Sequence, residues 1–232
     1  MAEAGTHRFV IESTQFAKLE RALSVAVPAA RSLGIDAGIF WLRDSIFAAT
    51  PYTSIGLFES GIEVKPKDCI AIAPMAVQSF LTALRSESAR FIRRIEVEPG
   101  CEDDLVYFVI LFDEESEYKD SVIVSRYKSS WRPWTTPREH YELLIAHRPY
   151  FECEFSIEDL RAKLRSHEDY GYVVLEDFPN VISHVTVSRS LLVAFLEAAK
   201  DEDTTFRLEY YEGQRCVVCR AGDVIAILSV ID

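Results

Sequence analysis

Four times along the chain, a short run of alternating apolar and polar residues leads into a helix-start residue and then into apolar residues at helical spacing. The four stretches are RFVIESTQFAKLERALSVAV (8–27), CIAIAPMAVQSFLTALRSES (69–88), FECEFSIEDLRAKLRSHED (151–169) and HVTVSRSLLVAFLEAAK (184–200). Alternation over four or five residues predicts a half-buried strand. Ser13 or Thr14, Pro74, Ser156 and Ser188 then stand at the junctions. Ser and Thr satisfy orphan amides at a helix start, and Pro is favoured at the first helical position. The apolar sets downstream are Phe16, Leu19, Leu23; Val77, Phe80, Leu81, Leu84; Ile157, Leu160, Leu164; and Leu191, Leu192, Phe195, Leu196. They predict helices over 14–27, 75–94, 156–166 and 188–200.

The residues after each helix extend the pattern. Behind the first come AGIFWLRDSIFAAT and YTSIGLFES, behind the second RRIEVE, DLVYFVILFDE and DSVIVSRYKS, and behind the fourth TFRLEYYE, RCVVCR and DVIAILSVI. These read as strands joined by short polar turns, so the unit is β-α-β-β-β with antiparallel hairpins rather than a βαβα alternation. The third unit is abbreviated, because only YGYVVLED reads as strand after its helix. YKSSWRPWTTPREH (127–140), with two Pro and two Trp, interrupts the grammar and reads as a linker. The expected organisation is an α+β protein with a domain at 1–130, a linker at 131–144 and a shorter domain at 145–232.

Composition narrows the function classes. Hydrophobic residues make up 49% of 232, enough for a full core, and no apolar run approaches the length of a membrane span. MAEAGTHRF carries no basic region followed by an apolar stretch, so no secretory signal is expected. Five Cys at irregular spacing argue against a disulfide framework and for a reducing compartment, cytoplasmic or nuclear. Cys216 and Cys219 form a lone C-x-x-C, but in a strand-like context residues three apart point to opposite faces, so two packed thiols are expected rather than a metal or redox pair. His7, His140, His147, His167 and His184 are scattered, and there is no phosphate-binding, dinucleotide-binding or nucleophile-elbow motif. Acidic clusters such as CEDD and DEESEYKD read as solvated loops. The expectation is therefore a protein without catalytic chemistry, metal or cofactor.

The β-α-β-β-β unit used twice per domain resembles the DNA sliding clamps, the processivity factors of DNA polymerases. FVIESTQFAKLERALSVAVPAARS followed by GIFWLRDSIFAAT is similar to the opening of bacterial beta clamps, with Asp44-Ser45 where that family usually has Asp-Gly. EDFPNV (176–181) resembles a further phrase of those clamps but sits just before the fourth helix. Bacterial beta clamps have three domains per chain; this sequence has room for two. The resemblance implies a ring of six domains and twelve helices, hence a homotrimer, with sheets outside and helices facing the duplex. It also implies a DNA polymerase and a clamp loader as partners. Family partners dock short peptides in an apolar pocket near the interdomain linker, where Trp131, Trp134 and Tyr141 lie. Packing of the linker onto the sheets accounts for the same three residues.

The resemblance makes a charge test available within the sequence. Formal net charge is −12, which argues against a generic basic nucleic-acid binder. The four expected helices nevertheless hold eleven Lys/Arg against five acids, leaving 14 of the 25 basic and 32 of the 37 acidic residues elsewhere. Helices favour Glu as much as Lys or Arg, so propensity alone does not produce this reversal. Sequence-independent tracking needs distributed phosphate neutralisation without base readout. Lys18, Arg21, Arg85, Arg161, Lys163, Arg165, Arg189 and Lys200 are the expected duplex-facing residues. The alternative is an acidic interaction protein, an adaptor or toxin-neutralising domain that binds a basic partner without DNA. A third class, an enzyme whose site is assembled from loop acids such as Asp103, Asp104 and Glu114, has the least support.

Overall fold

The computed structural model describes residues 8–34, 36–100, 104–129, 131–166, 171–175, 185–200 and 205–231. In chain order the elements are β1 (Phe9–Glu12), α1 (Phe16–Leu33), β2 (Gly38–Leu42), β3 (Ser45–Thr50), β4 (Thr53–Leu57), β5 (Ile70–Ile72), α2 (Pro74–Arg85), β6 (Ile92–Pro99), β7 (Leu105–Phe112) and β8 (Ser121–Arg126). Then come α3 (Pro137–Leu144), β9 (Phe151–Ser156), α4 (Ile157–Ser166), β10 (Tyr172–Val174), β11 (Thr186–Ser188), α5 (Arg189–Ala198), β12 (Thr205–Tyr211), β13 (Cys216–Ala221) and β14 (Val224–Ile231). Among the described residues every strand pair is antiparallel. The fold is α+β, built from the repeated unit read in the sequence.

The repeats exchange strands. β1, the lead strand of the first unit, pairs with β6 of the second, giving a sheet of order β1-β6-β7-β8. Reciprocally β5, the lead strand of the second unit, pairs with β2 of the first. In the C-terminal part β9 pairs with β12, while β11 pairs with β10 and with the end of β14. β4 then joins β14, with Leu57 opposite Val224 and Ser54 opposite Ile227, so that β5-β2-β3-β4-β14-β13-β12-β9 is one continuous sheet. No local signal specifies these partners; they arise from covering the helices with sheet on more than one side at once.

The middle of the shared sheet, from β2 to β4 with β14 and β13, is buried on both faces and its strands read as near-continuous apolar runs for that reason, whereas β9 and the start of β12 alternate buried and exposed residues. On one face Ile39, Trp41, Ile46, Ala48, Ile55, Leu57, Val217, Cys219, Val224, Ala226 and Leu228 join the main core beneath α1 and α5. On the other face Phe40, Phe47 and Ala49 are covered by Trp131 and Tyr127, and Val218, Ile225 and Ile227 by Leu144 and Tyr141. The helices α1, α2, α4 and α5 thus share one side, and α3 with its preceding segment lies on the opposite side. Gly56 permits that second covering, since a Cβ there would stand 2.7 Å from Phe47 Cβ and 3.4 Å from Pro137 Cγ.

Two helix ends differ from the sequence expectation. α1 continues past 27, through Pro28, to Leu33, because Ala29 and Ala30 are wholly buried and tertiary packing offsets the lost amide. α2 stops at Arg85 rather than 94. Ser86 turns extended, a 3-10 turn covers Glu87–Phe91, and Arg93 and Arg94 belong to β6. The alternation in RRIEVE overrides the helical reading there. In the β2–β3 hairpin the left-handed residue is Arg43, with φ 53°, so Ser45 opens β3 without needing to be glycine. Residues 176–181 and the acidic stretch at 101–103 lie outside the described residues.

Candidate nucleic-acid interface and the groove opposite

With the observed boundaries, α1, α2, α4 and α5 carry Lys18, Arg21, Arg31, Arg85, Arg161, Lys163, Arg165 and Arg189 against Glu20, Glu158, Asp159 and Glu197. Arg90, Arg93 and Arg94 leave the helical set, and Arg31 enters it. Lys200 lies in the turn after α5 and is exposed. The excess of cations on this side persists, at about two to one.

Several of these cations have intramolecular partners. Lys18 Nζ lies 3.2 Å from Glu63 Oε1, and Arg21 Nη2 lies 2.8 Å from Asp223 Oδ2. Arg85 donates from Nε to Glu20 Oε1 at 2.8 Å and from Nη2 to Ser24 Oγ at 2.6 Å, tying α2 to α1. Arg161 pairs with Glu158 at 2.6 Å, one helical turn away. Arg189 donates from Nε to the Leu164 carbonyl at 3.2 Å, joining α5 to α4. Exposed ion pairs of this kind contribute about 0–1 kcal/mol, so a passing phosphate can displace the carboxylate at little cost. Arg189 differs, because its contact is to a carbonyl and positions a helix.

The other side is organised by α3. Thr136 caps it as a complete capping box: its hydroxyl accepts from the Glu139 amide at 3.2 Å and its amide donates to Glu139 Oε2 at 2.9 Å. Glu139 also pairs with Arg43, and Arg138 with Glu59, which holds the helix to the N-terminal part. Tyr141 reaches the C-terminal part, donating to Glu209 Oε1 at 3.1 Å. Glu209 is buried and also accepts from Tyr211 at 2.6 Å and from Arg207 Nε at 2.9 Å. Burial, with the Glu209 carboxylate beside them, pushes both tyrosine hydroxyls above their ordinary range. The segment read as a linker is therefore a brace with anchors on both parts. The alternating FRLEYYE strand carried the signal for Arg207, Glu209 and Tyr211, which share one face at period two.

Beside α3 lies an open groove of about 470 Å³ between the β3–β4 turn, the 131–135 segment and β14. Trp131 and Trp134 both line it; Tyr141 does not, resting instead edge-on against Phe58 at 5.9 Å. Trp131 is half-buried against Phe40, 4.9 Å between ring centroids, whereas Trp134 is 75% exposed. His140, Arg132 and Arg215 also line the groove; from the sequence His140 reads as one of five scattered histidines, and the two arginines carry no expectation. The cation between two tryptophans in WRPW was the available signal. Burial holds the His140 ring below the ordinary histidine value, favouring its neutral form.

Cys216 and Cys219 fall on opposite faces of β13, in separate apolar clusters. Burial pushes the Cys216 thiol up to about 12 and that of Cys153 to about 11, and raises Cys219 further. These thiols should resist iodoacetamide in the native protein at pH 8 and react on unfolding, which mass spectrometry of labelled peptides reads directly. The linkage has a definite sign. Unfolded thiols ionise above about pH 9 while the buried ones remain protonated, so stability to urea should fall between pH 9 and the raised native values. Among the described residues no three His, Cys, Asp or Glu side chains gather as metal ligands.

The architecture has counterparts among solved structures. The chain is similar to the beta chain of DNA polymerase III from Streptococcus pneumoniae, at a TM-score of 0.57 and 12% identity, covering 100% of this chain and 66% of that one. It is similar to DNA polymerase III subunit beta from Borrelia burgdorferi, solved in complex with a natural product, at a TM-score of 0.60 and 11% identity over 100% and 66%. The beta subunit from Thermotoga maritima gives a TM-score of 0.55 and 12% identity over 97% and 64%. The chain thus spans about two thirds or slightly less of the length of these proteins. No family model matches it, and no curated protein matches it in sequence. At this identity the likeness establishes the fold: the chain has the sliding-clamp fold.

Proposed function

We propose that this chain, given its sliding-clamp fold, is a processivity factor that encircles duplex DNA and tethers a polymerase or another DNA enzyme without chemistry of its own. The observation that carries the reading is the segregation of charge within that fold. Four helices with a two-to-one excess of cations share one side of the sheets, in a chain whose net charge is −12. Lys18, Arg21, Arg85, Arg161, Lys163, Arg165, Arg189 and Lys200 are assigned to the duplex-facing side, where weak, distributed phosphate contacts permit sliding. Two clamp domains, 1–130 and 145–232, are braced by 131–144, and the groove at Trp131 and Trp134 receives the peptide of a polymerase or loader. A two-domain chain closes a six-domain ring as a homotrimer. Closure would pair the open edge of β8 with the opposite edge of the next copy, a heterologous contact that removes exposed edges.

Light scattering coupled to size exclusion should give about three times the chain's 26.4 kDa at micromolar concentration. The same preparation should remain on nicked circular duplex during gel filtration and leave it when the circle is linearised. A monomer at every concentration that also fails to distinguish circle from line would overturn the ring. The intramolecular pairs of Lys18, Arg21, Arg85 and Arg161 would then favour the second reading, an acidic adaptor whose helix cations are structural.

A further inference from the structure

We propose that three carboxylates on the cationic side, Glu63, Glu20 and Glu158, stand in for phosphate and set the hold on the duplex low enough for sliding. This deepens the proposed function and rests on it. Lys18 pairs with Glu63 at 3.2 Å, Arg85 with Glu20 at 2.8 Å and Arg161 with Glu158 at 2.6 Å. The three cations come from three of the four helices on that side, α1, α2 and α4. All six side chains are partly or largely exposed, so a phosphate can reach each cation. The pairs also have defined supports. The Glu63 amide donates to Oε1 of the buried Gln15 at 2.9 Å, which fixes that stretch of backbone beside the start of α1. The Lys18 stem runs past Gly61, where a Cβ would lie 3.5 Å from Lys18 Cδ. Arg85 is held twice, by Glu20 and by Ser24 Oγ at 2.6 Å, and these acceptors lie four residues apart on one face of α1.

Charge balance then decides what such a pair does to DNA. An ion pair presents no net charge to an approaching duplex, so its cation adds little to the attraction. On contact a phosphate replaces a carboxylate of like charge, and the exchange is close to neutral in free energy. A cation without the carboxylate would gain the whole contact. At a phosphate neutralised by such a cation, counterion release contributes about −0.9 to the slope of log affinity against log salt. At a paired site the displaced carboxylate takes up a cation from solution and offsets part of that release. The carboxylate also receives its cation back when the phosphate moves on, which smooths passage from one phosphate to the next. The three acids therefore lower affinity and favour movement along the duplex.

The test neutralises the three acids together in the full chain, as Glu63→Gln, Glu20→Gln and Glu158→Gln. Gln keeps an oxygen acceptor for each cation, so the tie between α2 and α1 survives and the thermal transition should be preserved. A control chain carries Glu115→Gln, Glu117→Gln and Glu212→Gln, exposed acids outside these pairs, and has the same net charge as the triple variant. Fluorescence anisotropy of a labelled short linear duplex at low salt should show the triple variant binding about tenfold more tightly than the parent, as expected for three exposed pairs acting together. Its salt slope should be steeper by up to about 0.9 per site. The control should gain about twofold at most, because solvent and salt screen its changes from the duplex. The triple variant should also leave a linearised circle more slowly than the parent. Equal gains in variant and control would make the effect one of net charge and overturn the proposal. A triple variant no tighter than a parent that stays on circular duplex overturns the proposal and leaves the processivity reading standing. If neither parent nor variant associates with circular or linear duplex, the proposal falls together with that reading.

Discussion

Replacement of Lys18, Lys163, Arg165 and Lys200 together by glutamate is expected to abolish retention on circular duplex. The four come from three different helical regions, and Arg189, whose contact positions a helix, is left in place. Each reversal replaces an attractive phosphate contact by a repulsive one, and each neutralised phosphate contributes about −0.9 to the slope of log affinity against log salt. A clamp that holds DNA weakly at many points should lose it when several points change sign. Single replacements should each do little, because no one contact is specific. Exposed substitutions usually stay within about 0.5 kcal/mol of the parent, so the thermal transition and the oligomer mass should be preserved. An intact quadruple variant that stays on circular DNA like its parent would remove the helices from the duplex-facing side. An intact variant that still forms a ring but no longer holds DNA would separate assembly from DNA contact.

The largest stability effect is expected at Glu209. Its buried carboxylate accepts from Tyr141, Tyr211 and Arg207, and it joins α3 to β12. Glu209→Ala deprives the buried Tyr211 hydroxyl of this acceptor and leaves Arg207 its pair with Glu152, at 2.5 Å. Loss of one partner from such a buried network costs about 2–4 kcal/mol. Urea unfolding should therefore show a clearly lowered midpoint, with new protease cleavage near residues 137–144 at urea concentrations below it. Glu209→Gln keeps an acceptor for the tyrosines and gives up the charge, so its loss should be about half as large. Equal stability of the alanine variant and the parent would mean that α3 is held by Leu144 and the Arg43 and Arg138 pairs alone.

Much of the fold was legible because its signals are local. A Pro at a helix start and the switch from period two to period 3.6 lie within single stretches of chain, and all four strand–helix units form where they were read; of the expected capping residues Ser156 accepts the Asp159 amide, whereas the starts of α1 and α5 have no side-chain cap. Helix ends were less legible. Pro28 locally argues for a stop, yet Ala29 and Ala30 are buried and the helix continues. The run at 86–94 has enough Arg and Ala for a helix, yet pairing of Ile95 and Val97 against β1 and β7 draws its end into a strand. Of the groups assigned to partner contact, Trp131 and Trp134 meet at the groove, while Tyr141 turns away to Glu209. A tyrosine in an amphipathic helix shows its face in the sequence but not which buried acceptor awaits its hydroxyl.

The number and order of the strand–helix units and the unequal division of charge between helices and the rest can be read from the residues in order. Those properties belong to composition and short-range periodicity, which need no partner to be defined. The exchange of β1 and β5 between units, and the junction of β4 with β14 into one sheet, exist only in three dimensions. An alternating strand specifies which residues face the core but not which edge it will meet, since backbone hydrogen bonding is the same for any partner. The groove is of the same kind, because Trp131 and Ile227 are distant in sequence and only packing of the chain back on itself brings them to one concavity.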